Sequence, residues 1–176
     1  MTPEHFDALF DTFHTTAVRL ETLPAYAVAD YEGDRLTAFV LGRPLPLRNI
    51  TTDPWLARIA TTTLSGKRWS RVRVLDEPLT DYERFELAVF PESQAVGEAI
   101  HVLPRHALGT DGPDFWLFDG DTPAARAVLM DYGPDGSWLG ARLVDDPAVI
   151  TVCRSRLVQA LGVAQPLNEF LAAAHG

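Results

Sequence analysis

Phe6, Leu9, Phe10 and Phe13 recur at i, i+3, i+4 and i+7, so residues 3–13 carry one apolar stripe and predict a helix. Pro3 and Glu4 suit its first turn. Residues 16–22 set Ala17, Arg19 and Glu21 against Val18 and Leu20, the alternation of a half-buried strand that Pro24 ends. A short helix is expected from Asp34 to Leu41, with Asp34 as N-cap, Leu36, Phe39 and Val40 facing inward and Gly42 at its end. Residues 43–52 hold two prolines and read as a surface loop. Asp53-Pro54 opens another helix, with Trp55, Ile59 and Leu64 as its buried side and Gly66 as its stop.

Residues 70–75 (SRVRVL) alternate strictly, placing Arg71 and Arg73 on one strand face and Val72 and Val74 on the other. Thr80 and Glu83 form a capping-box pattern at the start of a helix running to Val89, where Pro91 disturbs the continuation. Tyr82, Phe85, Glu86 and Val89 share one face of it. Four strands follow, at Ala99–Leu103, Asp114–Asp119, Arg126–Tyr132 and Ser137–Val144. They are separated by turn signals at Thr110–Pro113, Gly120–Pro123 and Gly133–Gly136, the last a hairpin signal. Phe115–Phe118 is a near-continuous apolar run, as in a central strand buried on both faces, with Trp116 and Phe118 on one side. Helix returns after Pro147 through Leu161, and a last short helix near Pro166 and Asn168 carries Phe170 and Leu171. The strands cluster, so the expected fold is a single α+β domain over 1–176: a twisted antiparallel sheet of five or six strands with helices mainly on one face.

At 176 residues the chain can bury roughly 70% of the surface its unfolded form exposes, and needs no metal or disulfide staple. The single cysteine, Cys153, excludes an intramolecular disulfide and any cysteine-cluster metal site. A net charge of −9 argues against direct nucleic-acid binding. No apolar run approaches the ~20 residues of a membrane span, and the first twenty residues carry no secretory pattern, so a cytoplasmic location without membrane contact is expected. Fourteen arginines accompany the lone Lys67.

No dinucleotide, Walker, nucleophile-elbow or zincin motif occurs, and the histidines at 5, 14, 101, 106 and 175 lack ligand spacing, so neither catalytic residues nor metal or cofactor are assigned. Cys153 has Arg154 and Arg156 nearby but no histidine partner, and reads as a buried structural thiol. The chemistry concentrates elsewhere. Arg19 and Glu21 share a strand face, as do Arg71 and Arg73, and Tyr82, Arg84 and Glu86 follow soon after. If these converge, paired guanidinium groups suit a carboxylate or phosphate, with Tyr82 as donor or stacking ring. Trp116 would be an aromatic wall and Asp119 its polar contact. The alternative is a solvated sheet face of ordinary arginine–glutamate pairs.

The segments LFDTFHTTAVRLETLPAYAV, SRVRVLDEPLTDYERFELAVF with GEAIHVLPR, DFWLFDG and DYGPDGSWLGARLVDDP together resemble an uncharacterised actinobacterial family of unknown function, over roughly residues 8–172. That resemblance implies genes encoded beside helix-turn-helix regulators, and brings no catalytic residues with it. The leading expectation is a non-enzymatic accessory protein partnering such a regulator, its acidic surface meeting a basic helix. The alternative is a binder of an anionic small molecule, or an enzyme, built on the central Arg/Glu/Tyr cluster. A third reading is an oligomeric module pairing through a sheet edge.

Overall fold

The structure is a computed structural model that describes residues 1–28, 30–109 and 112–174. Its helices are α1 (Pro3–Thr12), α2 (Asp30–Val40), α3 (Pro54–Leu64), α4 (Asp81–Gln94), α5 (Pro147–Val163) and α6 (Leu167–Ala174). The strands are β1 (Thr16–Glu21), β2 (Arg68–Leu75), β3 (Glu98–Pro104), β4 (Phe115–Phe118), β5 (Arg126–Tyr132), β6 (Trp138–Val144) and β7 (Gln165–Pro166). They form one sheet in the order β6-β5-β4-β1-β2-β3-β7.

The sheet is mixed and seven-stranded, which corrects the expected antiparallel sheet of five or six strands. β1, β2 and β3 run parallel, while β1–β4, β4–β5, β5–β6 and β3–β7 are antiparallel. Parallel neighbours need a crossover, and helices supply it: α2 and α3 lie between β1 and β2, and α4 lies between β2 and β3. The extra strand, β7, has two residues, which pair with His101 and Val102.

Alternation along the central strands separates two cores. Leu20, Val72, Val74, Phe115 and Leu117 pack against Ile150 and Leu157 of α5 on one face. On the other face, Phe10 of α1, Phe13 at its C-cap and Ile59 of α3 meet Trp69, Trp116 and Phe118. Helices therefore cover both faces, with α5 on the side opposite α1 and α3. β4 is buried at all four positions, as its unbroken apolar run predicts.

Local signals act where expected at Asp53 and at Thr80 with Glu83, and side-chain caps at Thr2 and Asp146 join them. Thr2, Asp53 and Asp146 each accept a backbone N–H at the start of α1, α3 and α5, and Thr80 and Glu83 form the full capping box of α4. Three readings change. α4 runs through Pro91 to Gln94, because Phe90 and Ser93 on either side of the proline stay buried and their packing outweighs the local penalty. α2 starts at Asp30, and its buried residue is Arg35, while Val40 is 55% exposed. Leu64 is 90% exposed at the end of α3, and Leu56 takes the buried place assigned to it. The turn predicted at Thr110–Pro113 includes Thr110 and Asp111, which lie outside the described residues. Among those described, no helix is long and apolar enough to cross a membrane.

Candidate functional site

The parallel register sets Arg19 beside Arg71 and Glu21 beside Arg73, all on the face covered by α1, α3 and α4. Four charged side chains on adjacent strands are thus brought within reach of one another. Arg71 Nη1 donates to Glu21 Oε2 at 2.7 Å and Arg71 Nε to Glu98 Oε1 at 3.0 Å. Arg19 Nε donates to Glu21 Oε1 at 3.3 Å, and Arg19 Nη2 to the Tyr132 hydroxyl at 2.8 Å. α4 closes the network from above, where Glu86 Oε2 accepts from Arg73 Nε at 2.6 Å. Arg73 also donates to the carbonyls of Leu23 and Val74, and is fully buried. Rings flank the guanidinium groups: Arg19 lies over Trp116 at 5.6 Å, Arg71 over Phe90 at 5.2 Å and Arg73 over Tyr26 at 5.4 Å.

This network borders a cavity of about 480 Å³, within the range of small-molecule sites. Tyr26, from the chain between β1 and α2, and Tyr31, Glu32 and Arg35 of α2 supply one wall. Arg35 ties that wall to α4 by a bidentate pair with Glu92, at 2.9 and 2.6 Å. Arg48 reaches both Glu92 and the α3 cap Asp53, at 3.5 and 2.6 Å. All four tyrosines of the chain and three of its four tryptophans line the space.

Of the residues singled out from the sequence, Arg19, Glu21, Arg71, Tyr82, Glu86 and Trp116 line this cavity. Arg73 sits behind Glu86 as its counter-ion. Two lie elsewhere. Arg84 is on the outer side of α4, paired with Asp81 at 3.0 Å with half its side chain exposed. Asp119 is fully buried at the far end of β4, where it accepts from the backbone N–H groups of His14, Thr15 and Thr16 and from the Thr15 hydroxyl. Its backbone has φ of 53°, and its carboxylate stands in for the partners that the chain entering β1 lacks.

The sequence reading missed Tyr26, Arg35, Glu98, Asp114 and Tyr132. Tyr132 carried a signal, since it follows Val128 and Met130 at period two on β5. Glu98 stands at the same spacing before Ile100 and Val102. Asp114 accepts from Thr22 N–H and from the hydroxyls of Thr22 and Tyr26, and nothing local in the sequence marks that contact.

Two carboxyls lining the cavity, Glu21 and Glu86, are pushed in opposite directions. Burial would raise Glu21, but Arg71, Arg19 and Arg73 together bring it down to about 2. Burial raises Glu86 to about 7, since Arg73 only partly offsets it and the negative Glu21 adds to the effect. One therefore stays ionised while the other exchanges a proton near neutral pH, an arrangement that provides a fixed anion and a proton donor side by side. Burial, with Glu86 next, raises the Tyr82 phenol far above its ordinary range and keeps it a hydroxyl.

Two donors in the wall are left over. Arg19, 3% exposed, has a buried Nη1 and Arg35, 2% exposed, a buried Nε, neither with a partner among the described residues. The Tyr82 hydroxyl also makes no hydrogen bond to a described residue. Unpaired buried donors are uncommon and point to a missing acceptor. Among the described residues, no group of three His, Cys, Asp or Glu side chains is placed to hold a metal ion.

Fold and cavity together define an α+β protein with an open mixed sheet, one face of which is hollowed into a polar, aromatic-walled cleft. The chain belongs to the family described as Domain of unknown function (DUF6879), which it matches over residues 4–172. No curated protein matches it.

Proposed function

We propose that this is a cytoplasmic, actinobacterial small-molecule-binding protein whose cleft holds an anionic ligand by its carboxylate or phosphate. The observation that carries the reading is a pair of arginines lining one cavity, Arg19 and Arg35, each with a buried guanidinium nitrogen that has no partner among the described residues. A carboxylate or phosphate oxygen supplies the acceptor such groups lack. Four arginines and four carboxyl groups line the space, and burial raises two of those carboxyls, Glu86 and Glu32, so the lining gains positive charge as pH falls. Concavity also separates this reading from a solvated face of surface ion pairs.

Calorimetric titration with four anions tests it: acetate, benzoate, methyl phosphate and phenyl phosphate. Saturable binding of at least one, weakened about tenfold or more in Arg35→Gln and in Arg19→Gln, is the expected result. Absence of saturable binding of all four up to about 10 mM overturns it.

Partnership with a helix-turn-helix regulator is the second reading, and one observation favours a protein partner. β6 is an edge strand whose strand partner is β5, and it exposes Trp138, Leu139 and Leu143 by 40%, 65% and 44%. Co-elution with a regulator encoded beside the gene, lost when Leu139 and Leu143 become charged, supports it. Separate elution at micromolar concentrations overturns it.

A further inference from the structure

The cleft is walled chiefly by rings, and their arrangement narrows the ligand beyond its charge. Each unpartnered donor is set beside aromatic faces. The Arg19 guanidinium lies over Trp116, and its Nη2 donates to the Tyr132 hydroxyl, so both side chains flank the group that carries the unpartnered Nη1. The Arg35 guanidinium lies over the Tyr31 ring at 6.0 Å. Exposure of the rings falls from mouth to floor: Trp138 is 40% and Tyr31 39% exposed, while Tyr82 is 7% and Trp116 5%. Tyr26 bridges the interior, with ring centroids 5.8 Å from Tyr82 and 5.1 Å from Tyr132 in edge-to-face contact. An acyclic acid leaves these ring faces against water, whereas a planar ring covers them and gains stacking.

We infer that the ligand is an aromatic acid, a planar ring bearing a carboxylate or phosphate, with its charged end at the Arg19 or Arg35 donors and its ring among the cleft aromatics. The unpaired Tyr82 hydroxyl is then available to a polar substituent on the ring. This rests on the anion-binding reading above and specifies the body of the ligand. Carboxylate and phosphate share the same arginine chemistry, so the comparison is made within each.

The test uses charge-matched pairs on the full chain: benzoate against acetate, and phenyl phosphate against methyl phosphate. Ring-bearing members bind about tenfold tighter or more, equivalent to about 1.4 kcal/mol. Tyr31→Leu and Trp138→Leu, both at the mouth where substitution leaves the core intact, reduce that preference in at least one pair without weakening the acyclic member. Equal affinity within both pairs overturns the aromatic inference while leaving anion binding intact. A ring preference unchanged in both variants overturns the placement of the ring among the mouth aromatics. Failure of all four anions to bind overturns both.

Discussion

Replacing Glu86 by glutamine separates the charge on this carboxyl from its shape. The glutamine carbonyl keeps an acceptor for Arg73 Nε, which now donates to Glu86 Oε2 at 2.6 Å, while the titration disappears. In the folded protein the Glu86 carboxyl sits at about 7, against 4.5 when unperturbed. A raised acid favours the folded state most at low pH, so its contribution is fully present below pH 4.5 and is lost as pH rises through about 7. At 1.36 kcal/mol per unit, that window corresponds to about 3 kcal/mol of stability that wild type surrenders and Glu86→Gln does not. Glu21 does not confuse the measurement, because its carboxyl is lowered to about 2 and its own contribution is lost only below pH 4.5. The assay is urea unfolding followed by tryptophan fluorescence, for both proteins, at intervals from pH 4.5 to 8. Relative to wild type, the variant gains about 3 kcal/mol across this range, whatever the offset at pH 4.5. Curves that stay parallel to within about 0.5 kcal/mol would refute the claim that burial outweighs Arg73 at this carboxyl.

Asp119→Ala removes the acceptor for three backbone N–H groups at the start of β1 and costs about 2–3 kcal/mol by the same unfolding assay, whereas Asp119→Asn recovers part of the loss. Arg84→Ala disrupts only a half-exposed pair on the outer side of α4, so its stability stays within about 0.5 kcal/mol of wild type and its anion affinity is unchanged. Cys153 is buried in α5, and burial raises its thiol above the usual range despite Arg156. A thiol-specific disulfide reagent labels it at the rate of unfolding, and fast labelling of the folded protein would show that the helix leaves it accessible.

Local chemistry and periodicity made most elements legible. Helix caps at Asp53 and Thr80, the Arg71/Val72/Arg73/Val74 alternation and the apolar Phe115–Phe118 run each have a short-range cause, and each stands in the fold. Strand direction was harder to read, although the crossover helices between β1, β2 and β3 carried the parallel signal. Reading the sequence for segregated strands gave weight to the hairpins of the second half instead. Packing decided where local rules conflict: buried Phe90 and Ser93 carry α4 through Pro91, and β7 exists only because Gln165 and Pro166 meet β3. In the candidate site, residues at period two on strands were legible, which is why Arg19, Glu21, Arg71 and Arg73 could be grouped. Tyr26 and Arg35 enter from a connecting segment and a helix whose docking onto the sheet has no local signature, so the closed cleft emerged only in three dimensions. Asp119 misled for the same reason: the end of β4 opposite the cleft is invisible without knowing which neighbour it meets.

The proposed anion site rests on Arg19 and Arg35, each with a guanidinium nitrogen unpartnered among the described residues. The most direct measurement follows the arginine side-chain N–H resonances in proton–nitrogen correlation spectra while phenyl phosphate is added. The account predicts saturable movement of the Arg19 and Arg35 signals, while Arg84, equally charged but outside the cleft, stays in place. Movement of Arg84 together with or ahead of them, or no movement of Arg19 and Arg35 at all, would contradict it.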